Sequence, residues 1–226
     1  MALFIDRLIN KIVTFLILII FFLSLYSLYN MLPINEQIDK SLIVEESKTI
    51  IDNKYNNKNI IGFLTIYNTV INYPVMQGKN NTEYLYLNYK NEYSSSGSIF
   101  LDYRNDKQLK DDFSIIYGHN MSYKAMFSEL KYYKNKSYFN THNKGELIIG
   151  KDKYDINIIL YKEVSSTDDI PYNLYLYKNK RNKKIYKYLM NKKGNIKKIL
   201  LLSTCKSGYK NKRVILLCEL NKIWFF

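Results

Sequence analysis

Ile199-Leu-Leu-Leu-Ser-Thr-Cys205 and Arg213-Val-Ile-Leu-Leu-Cys-Glu-Leu220, separated by the polar loop 206–212, are the two stretches on which the fold turns. The first is a continuous apolar run ending in two hydroxyls and a thiol, the pattern of a buried strand opening into a loop. The second alternates, with Val214, Leu216, Cys218 and Leu220 on one face, so Cys218 reads as core packing. Cys205, followed by Lys206-Ser207-Gly208, stands instead at a strand end facing a polar loop, where reactive groups tend to be carried. A disulfide between the two thiols is chemically allowed outside the cytoplasm, but their settings differ. If the two strands are antiparallel neighbours, the loop returns Arg213 to the side of Cys205.

Working outward, six more short β-rich runs bounded by turn residues cover 60–67, 70–76, 98–102, 113–117, 146–149 and 153–163. With 198–204 and 213–220 they make eight, which argues for a barrel or a sandwich. Helical spacing interrupts twice, at Tyr123, Met126, Phe127 and Leu130, and at Ile185, Tyr188 and Leu189 within 181–193. Residues 35–58 are polar with spaced apolar positions and read as a helical connector.

The N-terminal part is of another kind. Residues 12–29, IVTFLILIIFFLSLYSLY, carry no charge and as a helix span about 27 Å, close to the ~30 Å hydrocarbon layer. Arg7 and Lys11 precede the run and Glu36 and Asp39 follow it, which puts the N-terminus in the cytoplasm and the rest outside. Ser24-Leu25-Tyr26-Ser27-Leu28-Tyr29 offers no small-x-small cleavage site, so the reading is a retained anchor rather than a removed signal peptide. The expected organisation is a cytoplasmic tip and anchor over 1–30, the connector over 31–58, and one mostly β domain over 59–226.

Composition excludes several classes. With 15% aromatic and 47% hydrophobic residues the 226-residue chain is no disordered protein, and two cysteines cannot build a disulfide scaffold or a four-thiolate zinc site. The net charge of +14 is carried by lysine, whereas arginine occurs only as Arg7, Arg104, Arg181 and Arg213. That scarcity, and a domain facing outward, speak against nucleic acid, whose bases are read best by arginine. The basic stretch 178–198 holds ten Lys or Arg and no acid; it reads as a solvated face, with attraction to anionic wall polymers or headgroups as the functional alternative.

For chemistry, a thiolate needs a proton partner. His119, in Phe113-Ser-Ile-Ile-Tyr-Gly-His-Asn-Met121, follows a buried-looking strand and a glycine, while His142 lies in the polar stretch Asn140-Thr-His-Asn-Lys144 and reads as a surface residue. Arg213 stands out in a lysine-rich chain because a guanidinium can hold an oxyanion or a carbonyl in fixed geometry. On spacing alone, an ordinary surface arginine is the competing reading.

Leu202-Ser-Thr-Cys205 followed by Arg213, with Tyr117-Gly-His-Asn-Met121 upstream, resembles the sortases, the Gram-positive cell-wall transpeptidases. Ile71-Asn-Tyr-Pro-Val-Met-Gln77, Gly97-Ser-Ile-Phe-Leu-Asp-Tyr-Arg-Asn105 and Met126-Phe-Ser-Glu-Leu130 resemble the class B branch, and the likeness runs over roughly residues 60 to 220. The resemblance implies a mostly β fold, an eight-stranded barrel with short decorating helices. It also implies a catalytic His119, Cys205 and Arg213, with Ser203 and Thr204 lining the substrate groove, and requires no metal or other cofactor. Its partners would be surface proteins bearing a C-terminal sorting signal, cleaved after threonine, and an amine of a peptidoglycan precursor. The loop 206–212 is shorter than class B often has, a departure that bears on the shape of the groove. A membrane-anchored cysteine hydrolase and a non-catalytic wall-binding module on the same barrel are the rival functions.

Overall fold

The computed structural model describes residues 2–31, 57–121, 124–168, 170–174, 198–204 and 212–223. The connector expected over 31–58, the helix expected within 181–193 and the basic stretch as far as residue 197 lie outside these residues, apart from Met31, Asn57 and Lys58.

Helix α1 (Ala2–Met31) is one continuous helix. The most apolar eighteen residues within its segment Phe4–Tyr29 have a mean hydropathy of 2.5, and none of them is buried. Twenty-six residues rising roughly 1.5 Å each exceed what a ~30 Å hydrocarbon layer needs. The helix is therefore long and apolar enough to cross a membrane.

Among the described residues from 57 onward, eight strands form a closed barrel. Its strands are β1 (Ile60–Ile66), β2 (Asn72–Met76), β3 (Ile99–Leu101), β4 (Phe113–Gly118), β5 (Lys144–Ile149), β6 (Asp152–Ser165), β7 (Ile199–Thr204) and β8 (Lys212–Ile223). They follow one another around the wall as β1-β2-β3-β4-β7-β8-β6-β5, and β5 pairs with β1 to close it. Two neighbour pairs are parallel, β2 with β3 and β4 with β7, and the rest antiparallel. All eight runs expected from the sequence are strands, and β6 and β8 extend beyond the expected limits at both ends.

Alternation along the strands sorts their side chains into two layers. Leu64, Val75, Leu101, Ile116, Leu202 and Leu216, with partners from β5 and β6, belong to a buried cluster to which every strand contributes, the barrel interior. Odd-numbered neighbours such as Ile115, Tyr117, Leu201, Ile215 and Leu217 face the other way, into a second cluster closed over by Tyr84, Tyr89 and Leu174 from the connecting segments. β4 and β7 are thus buried on both faces, which is why β7 opens on the unbroken apolar run 199–202 rather than on an alternating one. A bulge between Ile158 and Leu160 reverses the alternation in β6, so Ile158 packs inside and Val164 outside.

The helical spacing read at Tyr123–Leu130 is realised later in the chain, as a 3₁₀ helix over Ser128–Lys134. Met126 has a φ of +49° and bridges to Asn120, a conformation that no helix accepts, yet Met126, Phe127 and Leu130 all reach the interior cluster. A short helix α2 (Lys136–Thr141), unexpected from apolar spacing, starts where the Asn135 side chain accepts from the amides of Ser137 and Tyr138.

Candidate active site

The parallel pair β4–β7 ends with Tyr117 opposite Ser203 and Gly118 opposite Thr204. His119 and Cys205 each follow directly upon that last register pair. Cys205 itself lies outside the described residues, so the geometry available is that of its neighbours.

Gly118 is required by close approach: a Cβ there would lie 2.7 Å from Cδ2 of Phe127 and 2.9 Å from Cγ2 of Ile99. His119 emerges past this contact and is held twice. Its backbone carbonyl accepts from the Phe127 amide at 2.9 Å, and its ring Nε2 lies 2.8 Å from the carbonyl oxygen of Leu85. A carbonyl can only accept, so Nε2 carries a hydrogen and Nδ1 is the nitrogen left to take up or release a proton.

Thr204 completes the β7–β8 ladder with its side chain. The last backbone register pair is Ser203 opposite Ile215, and beyond it the Val214 amide donates to Oγ1 of Thr204 at 3.0 Å. Ser203 is fully buried, its Oγ 3.0 Å from the hydroxyl of Tyr172. The two residues expected to line a groove are therefore buried and hydrogen-bonded here.

Arg213 lies on the same face of β8 as Ile215 and Leu217, the face shared by Tyr117 on β4 and Ser203 on β7. Its guanidinium carbon stands 5.3 Å from the centroid of the Tyr172 ring, a cation–π distance. Its Nε is buried with no hydrogen-bond partner among the described residues. A donor left unpaired at a strand end is suited to an oxygen that arrives with a ligand.

Tyr172, in the short 3₁₀ turn Ile170–Tyr172, was not singled out by the sequence, and neither was the pair that reaches it. Asp102, fully buried just after β3, accepts from the Arg104 amide, Nε and Nη2 at 3.0, 2.9 and 2.7 Å, from Asn81 at 2.9 Å and from the Tyr117 hydroxyl at 3.0 Å. Burial pushes this carboxyl up, but the Arg104 and Asn81 hydrogen bonds outweigh it and hold it below its ordinary value. The Tyr117 hydroxyl is driven up, first by burial and then by the Asp102 charge. Arg104 Nη2 also donates to the Tyr172 carbonyl at 3.1 Å, and the rings of Tyr117 and Tyr172 stack at 6.3 Å. The scarcity of arginine that drew notice to Arg213 applied equally to Arg104.

His142 is no part of this constellation. It closes α2, stacked 3.8 Å from the ring of Tyr138, with Nδ1 2.9 Å from the Tyr138 carbonyl. Cys218 is completely buried in the interior cluster, and that burial pushes its thiol well up. Among the described residues, no group of three or more His, Cys, Asp and Glu comes together as a metal site requires.

Comparison with known proteins identifies the family of the chain. A family profile described as the sortase domain matches residues 64–221. Sortase B of Listeria monocytogenes is 36% identical over 172 residues, 71% of this chain and 69% of the relative. The structure of a Staphylococcus aureus sortase B–substrate complex superimposes with a TM-score of 0.67 at 27% identity, covering 80% of this chain and 88% of that one. A Streptococcus pyogenes class B sortase involved in pilus biogenesis gives a TM-score of 0.66 at 30% identity, covering 77% and 98%.

Proposed function

The chain belongs to the sortase family of cysteine transpeptidases, in its class B branch, and from that premise we propose that Cys205, His119 and Arg213 carry out an acyl transfer from a sorting signal to an amine. The Cys205 thiolate attacks the carbonyl carbon of a threonine in the sorting signal, and the carbonyl electrons move onto its oxygen. Arg213 holds that oxyanion through the guanidinium edge that carries Nε, which has no partner among the described residues. His119 protonates the departing amine from Nδ1, leaving a thioester on Cys205. An amine of a peptidoglycan precursor then attacks the thioester, His119 takes its proton, and the thiolate leaves. Ser203 and Thr204 form the floor beneath the substrate, fixed by Tyr172 and by the β7–β8 ladder.

The observation that carries this reading is the register. Gly118 opposite Thr204 pairs the two strand ends after which His119 and Cys205 come next in the sequence. Ser203 opposite Ile215 brings β8 alongside, with Arg213 two residues before Ile215 on the same face. α1 serves as the membrane anchor, with Arg7 and Lys11 on the cytoplasmic side and the barrel of 59–226 outside.

Product analysis tests the reaction. The full chain in detergent is incubated with sorting-signal peptides and a glycine-based amine. Amide product that requires Cys205 supports transpeptidation, free acid alone makes the protein a hydrolase, and neither product leaves a binding module.

A further inference from the structure

We infer that Arg104 is a positioning residue for the reaction: locked onto Asp102, it holds the carbonyl of Tyr172 and so sets the aromatic ring on which Arg213 rests. This rests on the reading of Cys205 and Arg213 given above.

The device begins in four residues of sequence. In Asp102-Tyr-Arg-Asn105 the Asp102 carboxylate accepts the amide two residues on, and the Asn105 amide closes a turn onto the Asp102 carbonyl at 3.0 Å. That turn brings the Arg104 guanidinium edge-on to the same carboxylate through Nε and Nη2. Asp102 is fixed from its other side by Asn81 and Tyr117, so the guanidinium is held as rigidly as the β3–β4 wall. Nη2 has one hydrogen in the pair and another directed to Tyr172 O, 68 residues away in sequence.

At Tyr172 three contacts converge. The ring stacks on Tyr117, its hydroxyl meets Ser203 two positions before Cys205, and its face lies under Arg213. Tyr117 is the link between the ends, touching Asp102 with its hydroxyl and Tyr172 with its ring. Arg213 has a long side chain with many rotamers, and an aromatic surface fixed beneath it selects one. Arg104 therefore touches neither substrate nor the reacting atoms; it acts through Tyr172 on Arg213. Lysine at 104 would keep the charge that Asp102 needs, but one ammonium cannot reproduce a planar fork that grips a carboxylate and a carbonyl together.

The test uses the full chain in detergent with Arg104→Lys, Arg213→Ala and the double variant. Two rates are read at Cys205: acylation by a panel of threonine-containing sorting-signal peptides, and alkylation by iodoacetamide, which needs a thiolate but no oxyanion donor. The expected result is acylation slowed roughly tenfold to a hundredfold in Arg104→Lys, alkylation unchanged, and the double variant no slower than Arg213→Ala alone. Acylation at the wild-type rate overturns the inference. So do acylation and alkylation falling together, which marks a general loosening, and losses that multiply in the double variant, which mark independent roles. Should Arg104→Lys not fold, Arg104→Gln is read in the same way. A wild type that forms no acyl adduct, or an Arg213→Ala as fast as wild type, sinks the underlying assignment too, whereas an unaffected Arg104→Lys beside a slowed Arg213→Ala sinks this one alone.

Discussion

Asp102 shows how much one buried side chain carries. Five donors converge on a carboxylate that water does not reach, and Asp102→Asn replaces an acceptor edge by an amide that faces Arg104 with hydrogens. Breaking a buried pair costs ~3–5 kcal/mol; with Arg104 41% exposed, water screens part of it, and a loss of about 2–3 kcal/mol in denaturant unfolding is expected. The pH dependence has a definite sign. The folded carboxyl is depressed, so its contribution is fully present above the unfolded value of about 4 and is lost as pH falls through the lower folded value. The gap between wild type and Asp102→Asn should stay constant from pH 8 to 5 and narrow only below about 4; a gap that changes between 5 and 8 contradicts this. Cys218 gives a second residue-level prediction. Completely buried with its thiol pushed up, it should take no iodoacetamide in native Cys205→Ala protein at pH 8, and one equivalent once the protein is unfolded. Native labelling would contradict that burial. The core role of Cys218 was legible from its alternation with Val214, Leu216 and Leu220, whereas Tyr172 was not, because a lone tyrosine among twenty-three has no local signature.

Elements were more legible than their partners. Each of the eight strands follows from apolar patterning bounded by turn residues, because patterning is local chemistry. Which strands adjoin is not local. The parallel pairing of β4 with β7, whose ends immediately precede His119 and Cys205 in the sequence, joins residues more than eighty positions apart and was not read from the sequence. The 3₁₀ helix at Ser128–Lys134 was displaced from its expected place because Met126 turns to positive φ, something that spacing cannot report. Gly118 couples this element to the site. Gly118→Ala drives a methyl into Phe127 and Ile99, and overpacking of this kind costs about 1–3 kcal/mol. The expected result is a lowered unfolding midpoint with acyl transfer impaired beyond the loss of folded protein, since the strand end bearing His119 must shift. An unchanged midpoint would mean that Phe127 yields freely.

At the scale of the molecule, the chain combines an apolar helix of membrane-spanning length with a barrel whose second, outward layer carries the proposed chemistry. The charge of +14 explains none of that chemistry, which depends on two arginines among many lysines. The most direct test is intact-protein mass spectrometry of the full chain in detergent after exposure to sorting-signal peptides, wild type beside Cys205→Ala. The account predicts one acyl adduct on the wild type, none on Cys205→Ala, and its discharge on adding a glycine-based amine. An adduct that survives in Cys205→Ala, or a folded wild type with a titratable thiol that none of the peptides acylates, would contradict it.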